Sequence, residues 1–192
     1  MDAGPGDGSG GYCLFVGRME PDKGMGVLLE SLRYLPSSIR IKIAGDGSLR
    51  DAVRDAALIH PNIEWCGQKS GNEVIELMQH AALLLFPSLI CENFPVTIAE
   101  AYSVGLPVLA SRRGPMLELI EDNVTGAFFS PADSHDLALQ IRNLLSDRVR
   151  LQRMRHNARR EFEQKYSPAR NLQLLLEIYE VAVERARTRY AD

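Results

Sequence analysis

Six short, mostly apolar segments alternate along the chain with stretches whose apolar residues recur at helical spacing. The apolar segments are Cys13–Val16, Ile39–Ala44, Ile63–Trp65, Leu83–Phe86, Val108–Ala110 and Ala127–Phe129. Each is too short for a helix and is followed closely by Gly, Pro or Ser, which is typical of buried strands. Strands of this kind, each followed by a helix, predict an α/β fold: a doubly wound parallel sheet of about six strands with helices on both faces.

The two ends of the chain differ from this alternating pattern. Residues 1–11 are rich in Gly and polar residues, so we expect a flexible linker or an expression remnant, and a single domain over residues 12–192. The last part has two amphipathic stripes of helical period, which predict a helical C-terminal tail. The stripes are Leu151, Met154, Ala158 and Phe162, and then Leu172, Leu175, Leu176, Tyr179 and Val183.

The first tail helix carries many arginines, which a membrane-surface helix would also have. They are Arg148, Arg150, Arg153, Arg155, Arg159 and Arg160. We favour a core-facing apolar stripe with a solvated arginine face. The second stripe, from Asn171 to Arg187, is expected to pack on a further domain or to form a dimer.

Composition narrows the function. The chain has 45% hydrophobic and 24% charged residues and a formal net charge of -3, so no global electrostatic case for nucleic acid exists. Its three cysteines are widely spaced and predict neither a disulfide framework nor a zinc site. No signal peptide and no apolar run near the roughly 20 residues of a membrane span is recognisable, and we expect a cytoplasmic protein.

Ligands of doubly wound folds bind beyond the carboxyl ends of the strands, which directs attention to three loops. Arg18 and Lys23 leave the first strand; both suit phosphate oxygens, although two solvated loop cations would look the same. The second loop, Gly45–Ser48, has two glycines that permit close backbone approach to a ligand, with Ser48 as the expected N-cap of the next helix. Walker and Gly-x-Gly-x-x-Gly patterns are absent, which argues against a P-loop protein and a dinucleotide reductase.

The third loop leads from Glu92 into a helix that carries Glu100. Pro95 suits the start of that helix, so the backbone N–H groups of Val96 and Thr97 would point out of its end, where they attract phosphate. The two carboxylates flank this end and could accept hydrogen bonds from sugar hydroxyls. A sugar nucleotide fits this arrangement, while one loop acid and one exposed helical acid is the plainer alternative.

With these loops in order, the chain resembles the C-terminal domain of glycosyltransferase family 4, the retaining group 1 enzymes with a GT-B fold. The matching pieces are Phe15–Arg18 with Lys23-Gly24, Ile43–Gly47, Ile63–Gly67, Phe86–Ser88, Glu92–Pro95 through Glu100, Gly105–Ser111, Gly114 with Glu118, and Asn123–Gly126. The resemblance covers Tyr12 to about Arg187 and implies a Rossmann-like domain that binds a UDP-, GDP- or ADP-sugar.

The resemblance also implies residue roles. Arg18 and Lys23 would act in catalysis by neutralising the diphosphate as it leaves, and Glu92 by contacting the transferred sugar. The expected donor-binding residues are Gly17, Gly45, Gly67, Gln68, Lys69, Asn93, Phe94, Pro95, Val96, Thr97 and Glu100. Within this set, Glu100 would hold the ribose hydroxyls, and Gly67–Lys69 would lie at the edge of the nucleobase. The family transfers a hexose with retention to a glycan, lipid or small-molecule acceptor, generally without a metal, so we expect no metal site and no cofactor.

Three departures from the family pattern change the expectations. Asn93 stands where the family often has Gly, and Arg112-Arg113 stand where a Gly pair commonly approaches the sugar donor. The resemblance covers only the C-terminal GT-B domain, and we expect the N-terminal domain, which normally holds the acceptor, to be missing from this chain. We therefore expect the chain to bind its donor weakly and to transfer nothing alone. The full enzyme could associate with the inner face of a membrane.

Two alternative functions stay open: a GT-B nucleotide-sugar 2-epimerase fragment and a non-catalytic nucleotide-binding module.

Overall fold

The computed structural model describes residues 4–189, with side chains up to residue 185, and contains a single parallel sheet of six strands. The strands are β1 (Tyr12–Val16), β2 (Arg40–Ala44), β3 (Ile63–Gly67), β4 (Leu83–Phe86), β5 (Val108–Ser111) and β6 (Gly126–Phe129). Their spatial order is β3-β2-β1-β4-β5-β6, and every neighbouring pair is parallel. The predicted fold class is confirmed.

Helices fill the segments between the strands and form the end of the chain. They are α1 (Met25–Ser31), α2 (Arg50–Ile59), α3 (Gly71–His80), α4 (Val96–Ser103), α5 (Met116–Leu119), α6 (Ser134–Ser146), α7 (Arg148–Glu161) and α8 (Pro168–Arg189). Short 3-10 turns at Pro21–Lys23 and Leu32–Tyr34 flank α1, and a π-helical turn at Phe162–Tyr166 joins α7 to α8.

Two apolar cores lie on the two faces of the sheet because successive side chains of a strand point to opposite sides. In β1, Phe15 packs with Leu28 of α1 and Ile141 of α6, whereas Leu14 packs with Tyr102 of α4. Leu14, Leu28, Tyr102 and Ile141 are completely buried. Burial of a side chain of this size contributes about 1.5 to 3 kcal/mol, so the sheet is anchored from both sides and its loops start from fixed points.

The sheet has a topological switch point between β1 and β4. From β1 the chain first adds β2 and β3 on one side and then β4, β5 and β6 on the other. The loops after β1 and β4 therefore run to opposite sides and leave a crevice at their carboxyl ends, which is the usual ligand position in doubly wound sheets.

The segment before β1 packs against the domain where a free linker was expected. The backbone N–H groups of Gly6, Gly8 and Gly10 donate to the carbonyls of Val104, Gln79 and His80 at 2.8, 3.0 and 3.0 Å. Backbone groups make these bonds, so a Gly-rich sequence gives no side-chain signal of them. Residues 1–3 lie outside the described part.

The arginine face of α7 is not entirely solvated, which corrects the expectation for Arg155. Its side chain is buried and donates to the carbonyl oxygens of Ala81, at 2.6 Å, and Gly6, at 3.4 Å. The apolar side of the helix, with Met154 and Ala158, is completely buried as expected.

Helix α8 extends from the π-helical turn and leaves its apolar side chains exposed. Leu172, Leu176, Tyr179 and Val183 keep half or more of their surface accessible. Within residues 4–189, no helix is long and apolar enough to cross a bilayer. The broad apolar surface of α8 therefore has no partner among the described residues of this chain.

Candidate functional site

A cavity of about 240 Å³ opens at the carboxyl ends of β1, β2 and β3. The sheet brings five of the expected site residues to its lining, together with Asp46: Gly17, Arg18, Gly45, Gln68 and Lys69. Gly67, at the end of β3, accepts a hydrogen bond from the Gly45 N–H at 2.9 Å. The three loops therefore form one continuous surface.

Glycine is required where the first two loops meet. Gly45 has a φ of 146°, and a Cβ there would lie 1.9 Å from the carbonyl oxygen of Gly17. The indole N–H of Trp65 in β3 donates to the Gly45 carbonyl oxygen at 3.1 Å. The backbone at the cavity floor is thus held closely from two sides, and Trp65 is a supporting residue that the sequence patterns did not reveal.

Glu20 fastens the first loop to the second. Its carboxylate accepts from the Ser48 N–H at 2.9 Å and from the Ser48 hydroxyl, and these bonds hold the pKa of Glu20 below its ordinary value. The expected capping role of Ser48 is wrong, since α2 begins at Arg50 with Leu49 as its N-cap. The serine hydroxyl is used between loops instead, a contact across 28 positions that local sequence could not show.

The loop after β3, which carries Gln68 and Lys69, is held by a capping arrangement at the start of α3. Glu73 accepts from the Ser70 N–H at 2.9 Å, from the Ser70 hydroxyl at 2.7 Å and from Lys69 Nζ at 3.1 Å. These hydrogen bonds, above all the one from the Ser70 backbone, lower the pKa of Glu73 from 4.5 to about 2. Lys69 therefore forms an ion pair with Glu73 at the edge of the cavity.

A pH prediction follows for α3. Because the pKa of Glu73 is lower in the folded chain, its contribution to stability is complete above about pH 4.5 and is lost as the pH falls toward about 2. Thermal unfolding followed by circular dichroism should show a smaller loss of Tm over this range for Glu73→Gln than for the unchanged chain. Equal slopes would contradict the assigned role of Glu73.

Lys23 and Glu92 meet at the crevice between β1 and β4. Lys23 Nζ lies 2.5 Å from Glu92 Oε1, and the two side chains are only 21% and 16% exposed. Lys23 ends the 3-10 turn after β1, and the Leu89 N–H donates to the Asp22 carbonyl oxygen at 2.8 Å, which ties this turn to the β4 loop. The strand order thus explains a contact across 69 positions.

The N-terminus of α4 presents unused hydrogen-bond donors at this crevice. Pro95 is the N-cap, just outside the helix, and the Ile98 N–H donates to its carbonyl oxygen at 2.9 Å. Within the described part of the chain, the N–H groups of Val96 and Thr97 have no hydrogen-bond partner. Two free donors and the positive end of the helix dipole favour an anion here.

The remaining residues of the Glu92–Glu100 segment lie around the N-terminus of α4. Asn93 is exposed, and Phe94 is 49% exposed with its ring 6.0 Å from that of Tyr166 in the π-helical turn. Glu100 is half-buried, and its carboxylate has no hydrogen bond or ion pair among residues 4–189. A half-buried carboxylate without a partner is able to accept hydrogen bonds from a bound hydroxyl.

Three arginines of the site region, Arg18, Arg112 and Arg113, have partners outside the Lys23–Glu92 pair. Arg18 is 67% exposed on its side chain and lies 3.9 Å from Asp22, while it lines the cavity. Arg112 pairs with Asp122 at 2.9 Å and Arg113 donates to the Leu89 carbonyl oxygen at 2.8 Å. Arg113 therefore links the β5 loop to the β4 loop, at the place where the family commonly has a glycine pair.

Among the side chains that the structure describes, no group of three or more His, Cys, Asp or Glu residues is placed to hold a metal ion. Positive charge at the crevice comes from Lys23 and from the end of α4, and metal independence of the reaction stays a prediction.

Comparisons with known proteins find relatives among the glycosyltransferases. The chain is 31% identical over 153 residues to the lipopolysaccharide 1,2-N-acetylglucosaminetransferase of Salmonella typhimurium, covering 72% of this chain and 40% of that enzyme. It is 27% identical over 176 residues to an uncharacterised glycosyltransferase of Methanocaldococcus jannaschii, covering 89% and 45%. The chain thus spans less than half the length of these curated relatives.

Solved structures show the same fold. HepE of Anabaena, solved in complex with UDP, superposes with a TM-score of 0.79 at 22% identity, over 90% of this chain and 50% of that one. The same protein in complex with UDP and glucose gives 0.79 at 23%, over 90% and 49%. A model of the family described as glycosyl transferases group 1 matches residues 7–161. The chain therefore belongs to the group 1 glycosyltransferases.

Proposed function

We propose that this chain is the sugar-donor-binding domain of a retaining hexosyltransferase and that it holds a nucleoside diphosphate sugar across the β1–β4 crevice. The observation that carries the proposal is the Lys23–Glu92 pair beside the free N–H groups of α4. Cation, helix end and carboxylate there offer partners for a diphosphate and for sugar hydroxyls. HepE of Anabaena, which shares the fold, was solved with UDP and glucose.

Each part of the site has a role in this proposal. The cavity after β1–β3 takes the base, with Gly67–Lys69 at its edge and Gly17 and Gly45 in close backbone contact. Lys23 and Arg18 neutralise the diphosphate, and preorganised cations of this kind stabilise the negative charge that develops on a leaving group. Glu92 accepts from a hydroxyl of the transferred sugar, and the backbone of Asn93–Thr97 surrounds the sugar and the phosphate.

The acceptor and the transfer step belong to the longer protein in this proposal. The matched relatives are more than twice as long as the matched segment, so the chain alone is expected to bind a donor without measurable transfer. The exposed side chains of α8 are consistent with a further domain packing there. The dimer through this helix, contact of the full enzyme with a membrane surface and the cytoplasmic location stay predictions.

A GT-B 2-epimerase usually has further catalytic acids and histidines in this half of the fold, and the histidines of this chain do not support that alternative. In the described residues, His80 lies near Asp7 and Ser9, and His135 packs edge-on against Tyr34. His60 follows α2 and His156 lies in α7. None of the four lines the cavity after β1–β3.

Glu100 provides a specific test of the proposal. If its carboxylate holds the ribose, Glu100→Ala should weaken UDP binding by about tenfold, the cost of a hydrogen bond to a charged group. It should also remove the preference for UDP over 2′-deoxy-UDP, which lacks one hydroxyl. Calorimetry measures both, with GDP and ADP pairs in parallel, and Glu76→Ala in α3 is the control helical glutamate. An unchanged preference in Glu100→Ala would contradict the assignment.

A further inference from the structure

The Glu92 carboxylate is held through only one of its two oxygens. Oε1 accepts from Lys23 Nζ at 2.5 Å and from the Ser88 hydroxyl at 2.9 Å. Among the described residues, Oε2 has no hydrogen-bond partner. One oxygen is therefore anchored, and the other is free to accept from a ligand.

The two groups that anchor Oε1 differ in how firmly the fold fixes them. Ser88 is 4% exposed and follows directly after Pro87 at the end of β4. Its hydroxyl is on a one-carbon side chain, and it also lies 3.5 Å from the Asp22 carbonyl oxygen. Lys23 reaches Glu92 with a long side chain that has many rotamers, so it can move a distance that Ser88 cannot.

A bound diphosphate would compete with Glu92 for Lys23. The ammonium group is a strong partner for phosphate oxygens, and in the proposed function Lys23 serves the diphosphate. Once Lys23 turns to the phosphates, Ser88 is the remaining hydrogen-bond donor to Glu92 among the described side chains.

We propose that Ser88 is a positioning residue for the sugar: it keeps the Glu92 carboxylate oriented, with Oε2 toward the sugar hydroxyl, while Lys23 is engaged by the diphosphate. This inference rests on the proposed function and adds a residue that acts through Glu92 without touching the ligand. It predicts that Ser88 affects the sugar part of binding and leaves the nucleotide part unchanged.

Calorimetry on the 192-residue chain separates the contribution of the nucleotide to the binding affinity from that of the sugar. The dissociation constants of UDP, GDP and ADP are compared with those of UDP-glucose, UDP-galactose, UDP-N-acetylglucosamine, GDP-mannose and ADP-glucose. Ser88→Ala should leave the affinity for the free nucleotide within about twofold and reduce the affinity gained from the sugar by about fivefold, the effect of one hydrogen bond. Ser88→Thr, which keeps a hydroxyl, should restore the affinity that the sugar adds to that of the free nucleotide.

Two controls make the result specific. Ser31→Ala removes a completely buried hydroxyl that donates to the Leu28 carbonyl oxygen within its own helix, and it should leave the gain unchanged. If Ser88→Ala does not fold, Ser88→Thr and Ser88→Val have equal shape and differ in the hydroxyl alone, so their comparison gives the same answer.

The outcomes distinguish this inference from the function on which it rests. Equal loss of nucleotide and sugar-nucleotide affinity in Ser88→Ala, or no loss of either, overturns the positioning role. Nucleotide binding without any gain from any of the sugars also overturns it, because Glu92 then engages no sugar. Failure of all the nucleotides to bind refutes the proposed function itself.

Discussion

Gly24→Ala should destabilise the domain by about 2 to 5 kcal/mol, the combined cost of a left-handed residue and of a steric overlap. Gly24 has a φ of 75°, and a Cβ there would lie 1.8 Å from the Pro87 carbonyl oxygen. This overlap cannot relax without separating the turn after β1 from the end of β4. The loss is measured as the free energy of unfolding in urea.

Gly26 gives a matched control two positions further along the chain. It lies in α1, and a Cβ there would meet nothing within 4 Å. Gly26→Ala should therefore be neutral or stabilising by up to about 1 kcal/mol, since Ala is the better helix former. Gly24 ends the turn that carries Lys23, so Gly24→Ala should also lower the affinity for the sugar donor. Equal stability of the two variants would refute the close contact between α1 and the end of β4.

Lys23→Ala should weaken the binding of a nucleoside diphosphate by about 10- to 100-fold. A hydrogen bond to a charged group contributes about 1.5 to 3 kcal/mol, and each 1.4 kcal/mol corresponds to about tenfold in the dissociation constant. The change also leaves the half-buried Glu92 without its cation. Titration calorimetry with the free nucleotides measures the loss without any contribution from the sugar.

Lys42 is a close control for Lys23. Its side chain is 23% exposed, against 21% for Lys23, and its Nζ lies 3.0 Å from Glu64. It belongs to β2, away from the β1–β4 crevice. Lys42→Ala should leave the dissociation constant within about twofold. A loss of similar size in both variants would mean that general charge, and not the position of Lys23, governs binding.

The strands and the position of the site could be predicted because local patterns determine both. Segments such as Leu83–Phe86 are apolar throughout and end at a proline, so their length and burial follow from their composition. Parallel strands bring their carboxyl ends to one edge, which is why loops as distant as those of Lys23 and Glu92 were expected at one ligand. The chemical role expected of each site residue came from the family resemblance.

The features that were missed depend on contacts between distant backbone and side-chain groups. Ser48 looks like an N-cap locally, yet Glu20 takes its hydroxyl because the first loop folds over it. Residues Gly6 to Gly10 look flexible, yet their N–H groups find carbonyl partners on the domain. The short helix α5 has only four residues and therefore no helical period to detect.

The central claim is that the β1–β4 crevice holds a nucleoside diphosphate sugar. Calorimetric titration of the unchanged chain with UDP-, GDP- and ADP-sugars, repeated with Lys23→Ala and Glu100→Ala, tests it most directly. The account predicts saturable binding of a sugar nucleotide that each substitution weakens by about tenfold or more. Binding that both substitutions leave unchanged would contradict it.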